Sequence, residues 1–288
     1  QYELLSGETI PVLATWDGST FQTLAPNAIL AEDAKLADGR DPKIKMLFEN
    51  YLRASEDMGK RKNILGQNGA LAATYSACQI GEGAYDYSGI QGNTLLAEDP
   101  AARRQAMRRE GCIPLYSIFL AGTVKPEFAA QQLSTLRQAV PSVYTTGTGF
   151  VDSFTAIEGA PSAEKPVKVV SMKLPLDDGY ITIALAKILD ANNLGLAAYL
   201  RNSDIGPALQ RILEAQDEAL GRAIEVARVK DNFRRADALI GEASAAAKAN
   251  NIGVAREKLA QVSKLLAPID KSAYATELNK RVQKTHAI

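Results

Sequence analysis

Histidine is almost missing from this chain: its 288 residues include one, His286, close to the C-terminus. Ser-His-Asp and Cys-His catalysis need a positioned imidazole, and many zinc sites need several. The chain also lacks a G-x-x-x-x-G-K-[ST] loop, a G-x-G-x-x-G fingerprint and a C-x-x-C pair, so nothing marks a nucleotide, a metal or a redox group. We therefore expect no metal and no cofactor.

The chain has no excess charge of either sign and no long apolar run. Lys and Arg together number 33, and so do Asp and Glu, which gives a formal net charge of zero. Nucleic-acid binding by bulk positive charge is therefore disfavoured, and we expect no nucleic-acid partner. The longest uncharged apolar run, 112–124, is much shorter than the roughly 20 residues of a membrane-spanning helix. No transmembrane segment is expected.

Cysteine is scarce, with Cys78 and Cys112 as the whole set. The two could form a disulfide, or each could be a buried thiol that behaves as a small apolar side chain. An even cysteine count, in a sequence that starts at Gln1 rather than Met, favours an exported protein. We expect an extracytoplasmic location (periplasmic, lumenal or secreted) after removal of a leader.

What the chain does have is apolar material for a core, 46% of its residues. The patterns predict an α-rich α+β fold in two parts. Residues 1–200 should form a mixed domain with a few short strands, and residues 201–288 a helical-bundle domain with one long helix. The long helix is predicted from about residue 203 to Ala249, because only Gly221 and Gly241 interrupt its pattern and Asn250 follows it.

Local patterns predict most other elements. Helical spacing indicates helices at about 42–58, 71–80, 126–140, 179–190, 252–266 and 271–284, and another that starts at Asp99. Residues 9–16 have strand propensity, and 20–24 are predicted to be their hairpin partner. Strands are also predicted for the Val- and Thr-rich stretch 142–157 and for 167–174. Asp177 and Asp178 precede a predicted helix; capping is the favoured role for them, because the D-x-D-x-D spacing of a calcium loop is absent.

Two groups of residues are candidates for function. Glu82 and Asp86 lie in a loop with four glycines and two tyrosines, and two carboxylates held about 5–10 Å apart can act on a glycosidic bond. They are weak catalytic candidates, since nothing in the sequence fixes their separation. Arg103, Arg104, Arg108 and Arg109 cluster on one predicted short helix, where they could contact an acidic protein surface.

The sequence favours a non-enzymatic function: a structural or protein-interaction subunit of a larger, extracytoplasmic assembly. Scarce histidine weakens the enzyme reading, while an Ala-rich long helix and an arginine cluster offer surface for a protein partner or for self-association. Two alternatives stay open. One is a carboxylate-based carbohydrate-active enzyme that uses Glu82 and Asp86, and the other is a binding protein for a small ligand.

Overall fold

The fold is α+β and helix-rich, with a few short strands in small sheets, as the sequence predicts. It was obtained as a computed structural model. The structure describes residues 2–13, 15, 18–81, 84–87, 89–90, 111–145, 149–170, 175–189, 199–200 and 202–267. None of the helices in these ranges is long and apolar enough to cross a membrane.

The helices in the described ranges follow the predicted pattern closely towards the C-terminus. They are α1 (Thr20–Leu30), α2 (Lys43–Lys62), α3 (Leu115–Gly122), α4 (Pro126–Ala139), α5 (Pro175–Leu189), α6 (Gly206–Lys248) and α7 (Ile252–Leu266), with a 3₁₀ turn at Pro141–Val143. The long helix α6 and the helix α7 confirm the prediction for this region. The predicted helices at Asp99 and at 271–284 lie outside the described residues.

Within the described ranges, the strands form four small antiparallel sheets. β1 (Tyr2–Glu3) pairs with β2 (Thr9–Ile10), β3 (Ala77–Gly81) with β4 (Ala84–Tyr87), and β6 (Tyr144–Thr145) with β7 (Gly149–Phe150). The fourth sheet has the order β5 (Gly111–Pro114), β8 (Ser153–Ala156) and β9 (Val169–Val170). Strands therefore occur in the predicted stretches 142–157 and 167–174.

The core surrounds α3, whose eight residues are all buried. Helices α1, α4 and α5 pack against it. Gly122 permits the closest approach, since a Cβ there would lie 2.8 Å from the Cβ of Ala129 and 2.8 Å from Cδ1 of Ile188. This packing brings the starts of α3 and α5 together.

Two local predictions were wrong. The segment 20–24 is not a strand but the start of α1, because Ser19 caps this helix: its Oγ accepts a hydrogen bond from the Gln22 amide. The segment 71–80 is not a helix, because its backbone bonds to other elements. The amide of Ala72 donates to Oε1 of Gln132 at 2.7 Å, and the amide of Ala73 to the carbonyl of Ser55 at 2.8 Å.

Helix α2 extends four residues beyond the predicted end at residue 58, and its first turn is capped from a distant part of the chain. It passes through Gly59 and ends at Asn63, which adopts the left-handed conformation. At its start no local side chain caps it; instead the carboxylate of Asp217 accepts hydrogen bonds from the Lys43 amide at 2.5 Å and from Lys43 Nζ at 2.8 Å. Burial would raise the pKa of Asp217, but these bonds outweigh burial and lower it.

The chain divides into two compact units, Tyr2–Asp217 and Glu218–Ile288. The second unit contains the end of α6 and the whole of α7. There Val229, Ala236 and Ala243 are buried at a spacing of seven residues, and Asn232 Nδ2 donates to the carbonyl of Leu265 at 3.0 Å. The predicted domain boundary at residues 200 and 201 stays a prediction.

Candidate functional site

Two buried aspartates meet near the starts of α3 and α5. Asp152 lies in the bend between β7 and β8, and Asp177 in the first turn of α5. Asp152 is 4% exposed and Asp177 9%. Their side chains interact closely enough for hydrogen bonding and charge repulsion from Asp152 to raise the pKa of Asp177. Because two neighbouring carboxylates repel, the neutral form of Asp177 is favoured.

The surrounding backbone and Ser153 hold Asp152 in place. Its amide donates to the carbonyl of Val170 at 3.1 Å, and its carbonyl accepts from the amide of Leu115 at 2.9 Å, which ties it to β9 and to the first residue of α3. Its Oδ2 accepts a hydrogen bond from Ser153 Oγ at 2.7 Å. These three hydrogen bonds fix the position and orientation of Asp152.

Asp177 is the member of the pair that retains the proton. Burial, followed by the hydrogen bond to Asp152 and the negative charges of Asp152 and Asp178, raises the pKa of Asp177 to about 8. Its Oδ2 is buried and has no hydrogen-bond partner among the described residues. A carboxyl group whose pKa lies near neutral pH has the proton affinity that suits a general acid.

Three aromatic side chains adjoin the aspartates. The ring of Tyr180 lies 5.0 Å from that of Phe21 and 6.1 Å from that of Tyr116, measured between centroids. Tyr180 follows Asp177 by three residues in α5 and thus lies on the same side of the helix. Phe21 and Tyr180 also line an apolar cavity of about 350 Å³ beside α1.

Tyr116 connects this aromatic group to strand β3. Its hydroxyl oxygen lies 3.0 Å from Ser76 Oγ and 3.0 Å from the carbonyl oxygen of Ala77. Burial, with smaller contributions from Asp177 and Asp152, raises the pKa of Tyr116. The phenol therefore stays neutral and serves as a fixed hydrogen-bonding group next to the pair.

The cysteines form a disulfide in the same region. Cys78 of β3 is bonded to Cys112 of β5, and their Cα atoms are 6.4 Å apart. The bond links β5 to the strand that begins with Ala77, one of the two hydrogen-bond partners of Tyr116. It decides between the two possibilities that the sequence left open, and it is compatible with an extracytoplasmic location.

The structure places the other predicted site residues only in part. Asp86 lies in β4, where its backbone pairs with Cys78. Glu82 and the four arginines of the predicted cluster lie outside the described residues, so both sets stay predictions. In the described part of the chain, no three of its His, Cys, Asp and Glu residues gather in a group able to hold a metal ion.

Sequence reasoning missed Asp152 and assigned Asp177 another role. The helix predicted after Asp177 is present, and it begins at Pro175. The Asp177 carboxyl, however, is buried and interacts with Asp152 rather than serving only as a cap. One signal was available: Asp152 is a charged residue inside an apolar, strand-like run, and a charged side chain in such a place is buried only with a partner.

No family model matches the chain, and no curated protein matches it. Among solved structures, it is similar to one from Bacteroides uniformis ATCC 8492 that is described as a "putative glucoamylase". The identity is 14% and the TM-score 0.50, over 74% of this chain and 45% of that one. The chain thus spans less than half the length of this neighbour, and at this identity the likeness concerns the fold alone.

Proposed function

We propose that the chain contributes to a carboxylate-based carbohydrate-active enzyme, in which Asp177 acts as the proton donor. The observation that supports this most is the buried pair of Asp152 and Asp177, which holds a proton close to neutral pH. Protonation of the leaving oxygen is the first requirement for breaking a glycosidic bond. The structural neighbour is described as a "putative glucoamylase", and this supports a carbohydrate as the class of substrate.

The separation of the two aspartates limits how they can act. Retaining glycosidases hold their two carboxyl groups about 5–5.5 Å apart and inverting ones about 6.5–9.5 Å apart. A hydrogen-bonded pair is closer than either. Asp152 and Asp177 therefore work as one acid, in which Asp152 stabilises and positions the proton of Asp177.

A second carboxylate is then needed on the other side of the sugar. The sequence candidates are Glu82 and Asp86. Asp86 lies in β4, which pairs with β3, and Tyr116 bonds to Ala77 of β3. We propose that one of them is this nucleophile or base. Glu82→Gln and Asp86→Asn test the assignment: one of them should lower turnover strongly and the other should not, and strong activity in both variants would exclude both residues.

The proposal predicts that Asp177→Asn lowers hydrolysis of polysaccharide by about 100-fold or more, since loss of general acid catalysis typically costs 10²–10⁴-fold. The measurement is release of reducing ends from soluble starch and from a β-glucan. Asp178→Asn is the matched control, because Asp178 is the exposed neighbour in the same helical turn. It should stay within about twofold of the parent chain. Equal rates for Asp177→Asn and the parent, or no hydrolysis by the parent, would contradict the proposal.

A second candidate function is the interaction subunit favoured by the sequence. It is supported by large apolar side chains that are exposed to solvent in the unit Glu218–Ile288. Ile240 is 47% exposed, Ile252 49% and Leu259 50%. Where such side chains form one contiguous patch, the patch typically marks a contact surface. Self-association and catalysis are compatible, and their tests are separate.

A further inference from the structure

A second cavity lies on the side of α4 that faces the β6–β7 hairpin. Its volume is about 950 Å³, which is at the upper end of the range of about 300–1,000 Å³ for ligand pockets. Its lining includes Leu133, Ser134, Arg137 and Gln138 of α4 together with Tyr144 and Phe150 of the hairpin. Neither aspartate of the candidate site is among the lining residues.

Aromatic rings form one wall of this cavity. Tyr144 and Phe150 are opposite each other in the β6–β7 pairing, and their ring centroids are 5.1 Å apart with the planes inclined by 58°. Phe150 also packs against the buried Phe119. Their ring centroids are 5.3 Å apart and their planes are inclined by 70°. Tyr144 nevertheless remains 40% exposed. A rigid aromatic surface is therefore presented to solvent within a concave site.

Polar groups of α4 also line the cavity. Ser134, Arg137 and Gln138 follow one another along the exposed face of α4, and they supply hydroxyl, guanidinium and amide groups. Arg137 is the charged member of the described lining. Between them, the aromatic and the polar residues offer an apolar face and several hydrogen-bond donors and acceptors.

A sugar ring matches this combination. A pyranose has an apolar C–H face that stacks on an aromatic ring and a rim of hydroxyl groups that hydrogen-bond with polar side chains. Phe150 precedes Asp152 by two residues, so the cavity and the aspartate pair are connected by one short segment of chain. We infer that this cavity is an accessory carbohydrate-binding site, in which Tyr144 stacks against a sugar unit of the polysaccharide. The inference rests on the proposed function for the class of ligand.

The test measures binding without catalysis. Full-length chain carrying Asp177→Asn is run on native gels that contain soluble starch, the β-glucan laminarin or the acidic polymer polygalacturonate. Retardation by at least one polymer is expected. Adding Tyr144→Ala should weaken the apparent affinity about five- to tenfold, and Tyr144→Phe should keep most of it, because the ring remains. Arg137→Ala gives a second test from the polar residues of α4 and should weaken binding as well.

The outcomes separate this inference from the proposed function. Retardation that Tyr144→Ala weakens and Tyr144→Phe preserves supports an accessory site, and the responsive polymer identifies a neutral or an acidic sugar. No retardation with any of the three polymers, or equal retardation of the Asp177→Asn chain with and without Tyr144→Ala, overturns it. Full hydrolysis by Asp177→Asn would refute the proposed function but leave this binding result intact. Thermal unfolding of each variant, expected to be unchanged for an exposed side chain, checks the fold.

Discussion

At the scale of single residues, the main feature is a carboxyl group that keeps its proton where an ordinary aspartate loses it. The buried position of Asp177 and its bond to Asp152 favour the neutral form. A general acid is most effective when its pKa lies close to the working pH. The environment of Asp177 therefore matches the role that we propose for it.

The same shift makes stability depend on pH. The pKa of Asp177 rises from 3.8 to about 8 on folding. Its contribution to the free energy of unfolding is thus complete below about pH 4 and is lost as the pH rises towards 8. Asp177→Asn removes this dependence. We expect the parent chain to lose at least about 1.4 kcal/mol relative to this variant between pH 4 and 8, the equivalent of one pKa unit.

Urea unfolding of both chains at several pH values measures that difference. The Asp178→Asn variant is the control. Its free energy of unfolding should change with pH in nearly the same way as that of the parent chain. If the free energy of unfolding of Asp177→Asn and that of the parent chain changed equally with pH, Asp177 would be ionised in the folded chain at neutral pH. The acid role would then have no basis.

At the scale of elements, the sequence predicted helices better than the segments between them. The helices α4, α6 and α7 follow clear 3.6-residue patterns with Pro or Asn at their ends, and they occur as predicted. The segment 71–80 has the same local pattern, but its amides bond to α2 and α4. Short segments such as 20–24 fit both the helical period of 3.6 residues and the strand period of two residues. Tertiary contacts then decide their structure.

The candidate site was predicted less well than the fold for a similar reason. Asp152 and Asp177 are 25 positions apart, and tertiary packing, including that of α3 against α5, brings them together. Their types are visible in the sequence, but their distance is not. The disulfide was left open for the same reason, because spacing along the chain does not give the distance between two Cα atoms.

The disulfide leads to a prediction for the elements that it joins. Closing a loop of 34 residues should stabilise the chain by about 3–4 kcal/mol in the loop-entropy account. We expect the double variant Cys78→Ser and Cys112→Ser to unfold at a clearly lower denaturant concentration. Dithiothreitol should have the same effect on the parent chain and none on the variant. An unchanged midpoint for the variant would show that β3 and β5 are held together without the bond.

At the scale of the whole molecule, the remaining question is whether the chain works alone. The exposed Ile240 and Leu259 lead us to expect self-association at micromolar concentration. Light scattering coupled to gel filtration measures this. Ile240→Ser combined with Leu259→Ser should shift the mass to that of a monomer. Leu5→Ser, which changes an equally exposed leucine in the other unit, should not. A monomeric parent chain would exclude self-association, and with it this support for the interaction function.

One contact sets a lower limit on how far the molecule can be shortened. The first turn of α2 depends on Asp217, a residue 174 positions further along the chain. A truncation that stops before Asp217 would leave the Lys43 amide without its acceptor and expose a charged helix start. A minimal fragment for crystallisation should therefore include the beginning of α6, even where the aim is to isolate the part that contains the aspartate pair.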